Sequence, residues 1–386
     1  MLRIGIVAGE SSGDQLGAGL IHAIRARVPG AVFEGVAGPE MIAAGCQALA
    51  RAEDLAVMGI AEVLVHLPRL LRLRRRLRKH FLAHRPDIFI GIDAPDFNLG
   101  LETRLRKVGI RTVHYVSPSI WAWRPRRVFK VGKAADLVLC LLPFEPPLYA
   151  KHGFHAVFVG HPLADSAPQT LDRVALRKSL HLPIDCQLVA LLPGSRHTEV
   201  ERLGPLFLET AQWLAGERPE LKFVIPAATP ALSRLIKNQV RMLKPDLPVT
   251  VLDGHAREVL GAVDAGLIAS GTAALEALLW RCPMVVAYRI AASSYVVVQN
   301  MGMRRVRHVS LPNLLAGRTV VPEFLQYRAL PYDMGQAVFE LLRNESVRAA
   351  QLESFETLSR MLRRGADERA ADAVLALLSK PAGAAG

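Results

Sequence analysis

Three carboxylates in the first half of the chain follow apolar runs, at points where strands of a parallel sheet would end. Glu10 lies in GESSGDQLGAGL, and GIDAPDFN places Asp93 and Asp96 after a second apolar run. Open α/β sheets bind ligands at the carboxyl ends of their strands. A carboxylate there can act as a general base that takes the proton of an attacking hydroxyl group. We therefore take Glu10, Asp93 and Asp96 as candidate catalytic residues and favour Asp93 as the base.

Helix capping is the competing interpretation of the same two motifs. Asp96 suits the cap of a helix that starts near Phe97, which is the commoner role for an aspartate in this position. In the first motif, Ser12 or Asp14 suits the cap of the helix that follows the glycine turn. The residue types alone leave both interpretations open.

A glycine turn in the second half has the composition of a phosphate site. The apolar run QLVALL leads into LLPGSRHTEV, where Gly194 and Ser195 place backbone amides at the start of a helix near Thr198. A helix dipole favours an anion at its N-terminus, and Arg196 can form two parallel hydrogen bonds with a phosphate. The pattern lacks the lysine of a P-loop, which argues against nucleotide hydrolysis of that kind. We therefore predict a diphosphate site at Gly194, Ser195 and Arg196.

A second glycine turn, ASGTAALEALL, follows another apolar run. Ser270, Gly271 and Thr272 would lie at a helix start, with Glu276 about one turn further along. Such a helix start suits a phosphate, and the glutamate can accept hydrogen bonds from a ribose diol. The alternative is a cap at Ser270 or Thr272 and a Glu276 that faces solvent.

Short β-rich runs alternate with helical patterns, which is typical of parallel sheets with crossover helices. The predicted fold class is α/β, with two doubly wound, Rossmann-like domains that face each other across a cleft. GHPLADSAPQT breaks both periodicities and is predicted to be a linker, and the chain beyond Pro331 has the pattern of helices. The predicted strands are Leu2–Val7, Ala31–Val36, Asp87–Ile92, Arg111–Val116, Asp136–Leu141, Ala156–Val159, Gln187–Leu192, Leu221–Ile225, Val249–Leu252, Ala265–Ile268 and Met284–Ala287.

Composition limits the class of protein. The 386 residues, 51% of them hydrophobic, are enough for two domains with separate cores. The four cysteines show no CxxC spacing, which favours a reducing compartment and argues against a zinc site. The start of the chain suits a first strand better than a signal peptide, and no run is long enough to cross a bilayer. We therefore expect a cytoplasmic protein.

The formal net charge of +13 indicates an anionic partner. The stretch Leu55–Phe81 interleaves apolar residues with a basic block, which fits an interfacial membrane helix and a core-packed helix with a charged exterior equally well. HYVSPSIWAWRPRRVFKVGK, with Trp121 and Trp123 among basic residues, fits a core helix or a platform for an anionic amphiphile. Nucleic-acid binding is a further possibility, but no recognition motif accompanies the charge.

Six motifs occur in one order along the chain: GESSGD, GIDAPDFN, YVSPSIWAWR, LLPGSRHTEV, SGTAALEALL and VSLPNLLAGR. Together, from about Ile4 to Glu323, they resemble the lipid-A-disaccharide synthase family, glycosyltransferases of bacterial outer-membrane biogenesis. Ser11 and the stretch Ser293–Arg307 depart from the family pattern. The resemblance implies a GT-B fold. Its parts would be an acceptor-binding and membrane-docking domain at 1–165, a UDP-sugar-binding domain at 166–345, and C-terminal helices at 346–380 that pack across the domains.

The resemblance also implies a reaction. The family joins UDP-2,3-diacylglucosamine to 2,3-diacylglucosamine 1-phosphate in one inverting displacement, which forms a β-1,6-linked disaccharide 1-phosphate and releases UDP. Asp93 would be the base for the 6-hydroxyl group of the acceptor, with Glu10 nearby. The candidate nucleotide-binding residues are Gly194, Ser195, Arg196, Ser270, Gly271, Thr272, Glu276 and Asn313.

The implied partners follow from the same substrates. No metal-binding DxD context is evident, so we expect no metal and no cofactor, with helix N-termini and Arg196 stabilising the leaving charge. An acylated acceptor implies peripheral binding to the cytoplasmic face of the inner membrane through Leu55–Phe81. A homodimer through the C-terminal helices is a further expectation. The nearest alternatives are other GT-B UDP-sugar enzymes, either an epimerase or a muramyl-pathway transferase.

Overall fold

The computed structural model describes residues 1–55, 60–120, 126–290 and 307–379, with side chains of the third helix described from residue 67. These residues form two compact units. The first unit contains Met1–Asp165 and the described residues from Leu362 onward, and the second contains Ser166–Met361. The chain therefore leaves the first unit once and returns to it at its C-terminal end.

A parallel sheet forms the centre of the first unit. Its strands are β1 Arg3–Ala8, β2 Val32–Ala37, β3 Gln47–Arg51, β4 Ile88–Ile92, β5 Arg111–Tyr115, β6 Leu137–Cys140 and β7 Ala156–Phe158. Their spatial order is β3-β2-β1-β4-β5-β6-β7, so the winding reverses between β1 and β4. The carboxyl ends of the strands at such a reversal are the usual ligand site of an open α/β sheet.

A second parallel sheet forms the centre of the second unit. Its strands are β8 Leu188–Leu192, β9 Lys222–Ala227, β10 Val249–Asp253, β11 Ala265–Ala269, β12 Met284–Tyr288 and β13 Glu323–Leu325. Their order is β10-β9-β8-β11-β12-β13, and the reversal here lies between β8 and β11. Both glycine turns of the second half follow the two strands at this reversal, since Gly194 comes after β8 and Gly271 comes after β11.

Helices connect the strands of both sheets. Those before residue 170 are α1 Ser11–Arg27, α2 Pro39–Ala43, α3 Ile60–Ala83, α4 Pro95–Arg106, α5 Arg127–Ala134, α6 Pro146–Ala150 and α7 Pro162–Ser166. Those that follow are α8 Arg173–Ser179, α9 His197–Glu217, α10 Pro230–Leu243, α11 Ala256–Ala262, α12 Thr272–Leu279, α13 Leu311–Ala316, α14 Pro331–Arg343, α15 Glu345–Leu362 and α16 Ala366–Ser379. Local sequence explains several starts: the Asp172 side chain caps α8, and Thr229 caps α10 ahead of a proline.

Successive side chains of β1 point to opposite faces of the sheet, so the core of the first unit has one part on each face. Ile4 and Ile6 join a cluster with α1 and α16, whereas Val7 joins a second cluster with Leu77 and Phe81 of α3. All of these side chains are buried, and each contributes about 1.5–3 kcal/mol relative to exposure to water. The near-continuous apolar runs of the central strands follow from this burial on both faces.

The predicted parallel α/β architecture is confirmed, and each of the predicted strands is present within a residue or two of its expected bounds. The prediction missed β3 and β13, which lie at the edges of the two sheets. β3 is exposed or half-buried throughout, and β13 is only three residues long. Neither therefore carries the apolar run by which the other strands were recognised.

The predicted linker begins with residues that are fixed to the C-terminal part of the first unit. The Asp165 carboxylate accepts hydrogen bonds from the amides of Arg364, Gly365 and Ala366 at 2.9, 3.0 and 2.6 Å, and so caps α16. The His161 amide donates to the Leu362 carbonyl oxygen at 2.9 Å. The start of the linker is thus hydrogen-bonded to the C-terminal segment that returns to the first unit.

Candidate active site

Two of the candidate carboxylates follow neighbouring strands of the first sheet. Ala8 pairs with Ile92 at the carboxyl ends of β1 and β4. Glu10 is exposed at the start of α1, and Asp93 is half-buried directly after β4. The structure therefore brings Glu10 and Asp93 to adjacent strand ends at the reversal of the winding, where sequence reasoning expected them.

The backbone at Asp93 and Ala94 has an unusual conformation. Their φ angles are 48° and 41°, in the left-handed region that residues with a side chain seldom occupy. The Asp93 amide donates to the Tyr115 carbonyl oxygen at 2.8 Å, which extends the pairing of β4 with β5. Such strain costs about 1–3 kcal/mol per residue and persists where the surroundings enforce it, commonly at functional sites.

Asn98 on α4 is the buried residue that enforces this turn. Its amide nitrogen donates to the carbonyl oxygens of Asp93 and Ile92 at 2.9 and 3.2 Å, and the side chain is fully buried. Gly9 provides the room, because a Cβ atom there would lie 2.9 Å from the Cβ atom of Ala94. Sequence reasoning missed Asn98, although it stands in the quoted motif GIDAPDFN.

Asp96 lies in the first turn of α4 with a different environment. Its side chain is 80% exposed, and Oδ1 accepts a hydrogen bond from an Nη atom of Arg127 at 2.6 Å. The cap position is Ala94, with no side-chain cap bond, so the alternative role of Asp96 as the helix cap is wrong. Asp96 is thus exposed and already engaged by a guanidinium group, whereas Asp93 is half-buried at the strand end.

Asp14, the last residue of GESSGD, holds a neighbouring helix rather than its own. The side chain is buried, and its oxygens accept from the amides of Gly38, Glu40 and Met41 at 2.8, 2.9 and 3.1 Å. These amides start α2, whereas α1 has no side-chain cap bond. The competing interpretation, in which Ser12 or Asp14 caps α1, is therefore wrong. The motif instead connects α1 to the segment after β2.

In the second unit, the predicted diphosphate loop holds an anionic side chain of its own. The Glu199 carboxylate accepts hydrogen bonds from the amides of Ser195 and Arg196 at 3.1 and 3.3 Å. Gly194 has φ +132°, and a Cβ atom there would lie 2.5 Å from the Cβ atom of Glu199. The Arg196 side chain is 65% exposed and lies 3.5 Å from Glu199. The loop thus has the amide geometry of an anion site, at the N-terminus of α9.

The second glycine turn leaves its backbone accessible. Ser270 is half-buried and Gly271 and Thr272 are exposed, and no described atom lies within 4 Å of the position a Cβ atom of Gly271 would take. α12 has no side-chain cap bond, so the alternative cap at Ser270 or Thr272 is wrong. A ligand can therefore approach the helix N-terminus closely.

Glu276 does not face solvent as its alternative interpretation expected. The side chain is 19% exposed, and Oε1 accepts a hydrogen bond from Nε of Arg257 at 2.8 Å. Arg257 lies on α11, so an ion pair between two helices fixes the position of the Glu276 carboxylate. In the described ranges the hydrogen bond found to this carboxylate uses Oε1, so Oε2 can accept one from a polar ligand.

Asn313 holds the chain before β13. Its amide nitrogen donates to the Val321 carbonyl oxygen and to Glu323 at 2.9 and 2.8 Å, and its oxygen accepts from the amides of Val320 and Val321. Two donors and two lone pairs are the full capacity of an asparagine side chain. The side chain is also buried. These contacts give Asn313 a positioning role, and its predicted contact with the nucleotide stays a prediction.

Glu323 is the centre of the same network. Its carboxylate also accepts hydrogen bonds from the Ser310 amide at 2.9 Å, the Ser310 hydroxyl at 2.5 Å and the Val309 amide at 3.0 Å. The motif VSLPNLLAGR is therefore held together by a glutamate that follows it by several residues. Sequence reasoning did not assign Glu323 a role.

A family model described as lipid-A-disaccharide synthetase matches residues 4–377. The chain belongs to this family. The lipid-A-disaccharide synthase of Pseudomonas paraeruginosa is 52% identical over 379 residues, which cover 98% of this chain and 99% of that protein. The one of Hahella chejuensis is 49% identical over 379 residues, covering 98% and 95%. These comparisons confirm the family that the six motifs predicted, and with it the class of enzyme, a glycosyltransferase.

Solved structures show the same fold at low sequence identity. The glycosyltransferase of kitacinnamycin matches with a TM-score of 0.64 at 19% identity, covering 97% of this chain and 98% of that one. A putative UDP-N-acetylglucosamine 2-epimerase from Listeria monocytogenes matches with a TM-score of 0.64 at 12% identity, covering 97% and 95%. The predicted GT-B fold of the lipid-A-disaccharide synthase family is thereby confirmed. The roles of single residues stay predictions.

The described part of the stretch Leu55–Phe81 matches a core-packed helix with a charged exterior, and its contact with a membrane stays a prediction. On α3, Leu77 and Phe81 are buried in the core, whereas Arg72, Arg75, Arg76 and Lys79 are exposed. Residues 56–59 lie outside the described residues, as do Trp121, Trp123 and residues 291–306. Among the helices that the structure does describe, none has the length and apolar composition to cross a membrane.

The donor groups for a metal ion are scattered. In the described ranges, no three histidine, cysteine, aspartate or glutamate side chains are grouped as a metal site would require. All four cysteines are free thiols, and burial raises the pKa of Cys46 and of Cys282 to about 12. The expectation that the enzyme needs no metal and no cofactor stays a prediction.

Proposed function

We propose that this chain transfers a 2,3-diacylglucosaminyl group from UDP-2,3-diacylglucosamine to the 6-hydroxyl group of 2,3-diacylglucosamine 1-phosphate. The products are the β-1,6-linked disaccharide 1-phosphate and UDP. The family match along residues 4–377 and the names of relatives that are 52% and 49% identical support this assignment. Within the molecule, the strongest support for this assignment is the left-handed turn at Asp93, which Asn98 holds by hydrogen bonds.

The reaction is a single displacement at the anomeric carbon. The acceptor oxygen forms a bond to that carbon while the bond from the carbon to the diphosphate oxygen breaks. UDP leaves with the electron pair, and the proton of the acceptor hydroxyl passes to a base. A single displacement inverts the anomeric centre, so the enzyme must supply one base on the acceptor side and stabilise negative charge on the donor side.

Asp93 is the proposed base. It follows β4 at the reversal of the first sheet, and Asn98 fixes its backbone by two hydrogen bonds at 2.9 and 3.2 Å. A base that is fixed before substrate binds need not be ordered during the reaction, which lowers the entropic part of the barrier. Glu10, at the neighbouring strand end, would bind another polar group of the acceptor.

The second unit is proposed to hold the nucleotide. The amides of Ser195 and Arg196 would bind the diphosphate once Glu199 has turned away. The exposed Arg196 guanidinium would donate hydrogen bonds to the diphosphate as negative charge develops on it. The N-terminus of α12 offers a second set of backbone amides, and Glu276 would accept hydrogen bonds from the ribose hydroxyl groups. Backbone amides and an arginine would then stabilise the charge in place of a divalent cation.

The same proposal includes peripheral binding to the cytoplasmic face of the inner membrane, where substrates with acyl chains reside. The exposed residues Arg72, Arg75, Arg76 and Lys79 of α3 would contribute about 1 kcal/mol each at an anionic bilayer. Replacing all four by glutamate should abolish binding to anionic vesicles in a sedimentation assay. Unchanged binding would show that α3 is not the contact. A homodimer is a further part of the proposal, to be tested by light scattering.

The decisive experiment supplies the purified protein with both diacylated substrates in the presence of a chelator. We expect stoichiometric release of UDP and formation of one disaccharide phosphate, both dependent on the acceptor. Conversion of the donor to an isomeric UDP-sugar without acceptor would instead indicate an epimerase. UDP release that requires added Mg²⁺ would contradict the metal-independent mechanism.

A further inference from the structure

A cluster of arginines lines a cavity on the helical layer of the first unit. Arg74, Arg75 and Arg78 of α3 and Arg104 of α4 surround a space of about 150 Å³, with Leu71 as the apolar wall. One water needs roughly 10–15 Å³ of such space, so the cavity can hold a polyatomic anion and some of its water. Four guanidinium groups around one cavity form a strongly positive site.

Within the described part of the chain, no carboxylate neutralises this cluster, because the ion pairs found there involve other arginines and histidines. Nε of Arg78 is buried and has no hydrogen-bond partner there. Burial, followed by the neighbouring Arg104 and Arg75, lowers the pKa of Arg74. Buried unpaired donors are costly, and a bound anion would satisfy them.

A second arginine-lined depression on the same helix offers a contrast. It is lined by Asp54, Arg69, Arg72 and Arg76 among others. There Arg69 pairs with Asp54, and Arg76 donates to the Leu49 carbonyl oxygen. Among the described residues, a carboxylate thus pairs with an arginine in this depression, whereas the hydrogen bond found at the other cavity runs from Nη1 of Arg104 to the Gly100 carbonyl oxygen, at 2.7 Å.

The cavity lies away from the proposed catalytic residues of the first unit. Arg104 is nine residues beyond Pro95 on α4, which corresponds to about 13 Å along the helix axis. α3 ends at Ala83 before the amino end of β4, whereas Asp93 follows its carboxyl end. A group bound between Arg78 and Arg104 thus lies nearer the amino ends of the strands, whereas Asp93 lies at their carboxyl ends.

We propose that Arg74, Arg75, Arg78 and Arg104 form a binding site for one phosphate group, separate from the reaction centre. Planar guanidinium groups bind phosphate oxygens in pairs of parallel hydrogen bonds, which gives this cluster geometric selectivity beyond its charge. The phosphate is either that of a phospholipid headgroup or a free phosphate ion. The headgroup case rests on the proposed membrane contact of α3 and adds a defined site to it.

The first test measures binding of inorganic phosphate to the purified protein by isothermal titration at constant ionic strength. We expect Arg74→Gln and Arg78→Gln each to weaken binding about tenfold, because each removes charge-assisted hydrogen bonds. Lys107→Gln is the matched control, because Lys107 is exposed just after α4 and outside the cavity, so the same charge is lost and binding should equal that of the wild type. Equal weakening in all three variants, or in none, would overturn the site.

A charge-neutral variant separates shape from charge. A Cβ atom at Gly100 would lie 2.7 Å from Nη1 of Arg74, so Gly100→Ala should displace that guanidinium without changing the net charge. The helix itself should tolerate alanine, which favours helices by about 1 kcal/mol relative to glycine. We expect several-fold weaker phosphate binding with an unchanged or higher Tm. Wild-type binding by Gly100→Ala would argue for general charge attraction and against a defined site.

Vesicles distinguish the two sources of phosphate. Phosphate-free galactolipid vesicles would carry either phosphatidylglycerol or oleate at equal surface charge. A preference for phosphatidylglycerol that Arg78→Gln removes and Lys107→Gln keeps identifies a headgroup site. Phosphate binding without this preference identifies a free-phosphate site. The absence of both responses would overturn the proposal. UDP release by the wild type is measured separately, so failure of the transferase assignment would not be confused with failure of this site.

Discussion

The Glu199 carboxylate accepts a hydrogen bond from the Ser195 amide at 3.1 Å, at the position where a diphosphate is expected. The Arg196 amide donates to the same carboxylate oxygen at 3.3 Å. An acidic side chain thus shapes the loop for an anion and competes with that anion. If the diphosphate binds these amides as proposed, it displaces Glu199, and the charge of this residue then opposes the affinity for UDP.

Removing that charge should strengthen nucleotide binding. Glu199→Gln keeps an oxygen that can accept the two amide bonds, so the loop should retain its shape while the repulsion is lost. We expect about two- to fivefold tighter binding of UDP by isothermal titration, in line with the effect of one charge at a helix terminus. Glu201→Gln, two residues along α9 and exposed, should leave UDP affinity unchanged. Weaker UDP binding by Glu199→Gln would mean that the carboxylate assists the ligand.

Recognition of the ribose should depend on Glu276. The ion pair with Arg257 at 2.8 Å holds its carboxylate, and a hydrogen bond to the 2′-hydroxyl group would favour UDP over 2′-deoxy-UDP by about tenfold. Glu276→Ala should remove this preference while binding 2′-deoxy-UDP as the wild type does. The control is Glu258→Ala on the neighbouring helix α11. A preference that survives in Glu276→Ala would exclude the proposed ribose contact.

The turn at Asp93 should depend on Asn98. Asn98→Ala leaves the carbonyl oxygens of Ile92 and Asp93 without this buried donor, which should destabilise the protein by about 1–3 kcal/mol in denaturant unfolding. It should also lower kcat, because the candidate base loses its fixed backbone. Thr103→Ala on the same helix removes one side-chain bond to Leu99 and should leave kcat intact. A normal kcat in Asn98→Ala would show that catalysis does not need this turn.

The docking of α16 should weaken as pH rises. Burial raises the pKa of Asp367 from 3.8 to about 6, with Glu368 and Asp165 adding to the shift and His22 opposing it. The pKa of Asp367 is higher in the folded than in the unfolded state, so the protonated carboxyl group stabilises the fold. This stabilisation is complete below about pH 4 and is lost as pH rises through 6. Asp367→Asn should therefore raise Tm near pH 8 and have little effect near pH 4 in scanning calorimetry.

A matched variant on the same helix tests this interpretation. Asp372 is exposed on α16 and paired with Arg27, so Asp372→Asn should lower Tm slightly near pH 8. A Tm of Asp367→Asn that equals the wild-type value at both pH values would contradict the raised pKa.

The interior of each sheet could be predicted from sequence because its strands are buried on both faces. Runs such as IFIGI and LVALL need no tertiary information to be recognised as strands. The edge strands β3 and β13 could not be found in this way, since Gln47–Arg51 has no buried residue and Glu323–Leu325 has only three residues. Their strand character comes from pairing with β2 and β12, which a local pattern does not reveal.

The candidate site was predictable in its position but not in its internal contacts. The strand ends locate Glu10 and Asp93, yet the partner of Asp14 lies 24 residues further along the chain, at Gly38. Asn98 acquires its role from the carbonyl groups of Val7, Ile92 and Asp93, which the ends of β1 and β4 bring together. For Glu199 a local signal existed, because a glutamate three residues into a helix commonly bonds back to the amides at its start.

The most direct test of the whole account compares Asp93→Asn with Asp96→Asn in acceptor-dependent UDP release at saturating donor. Asp93→Asn removes the proposed base and should lower kcat by about 10²–10⁴-fold while UDP affinity stays unchanged. Asp96→Asn, which loses an exposed pair with Arg127, should retain most of the wild-type rate. Normal turnover by Asp93→Asn, or loss of turnover confined to Asp96→Asn, would contradict the assignment of the base.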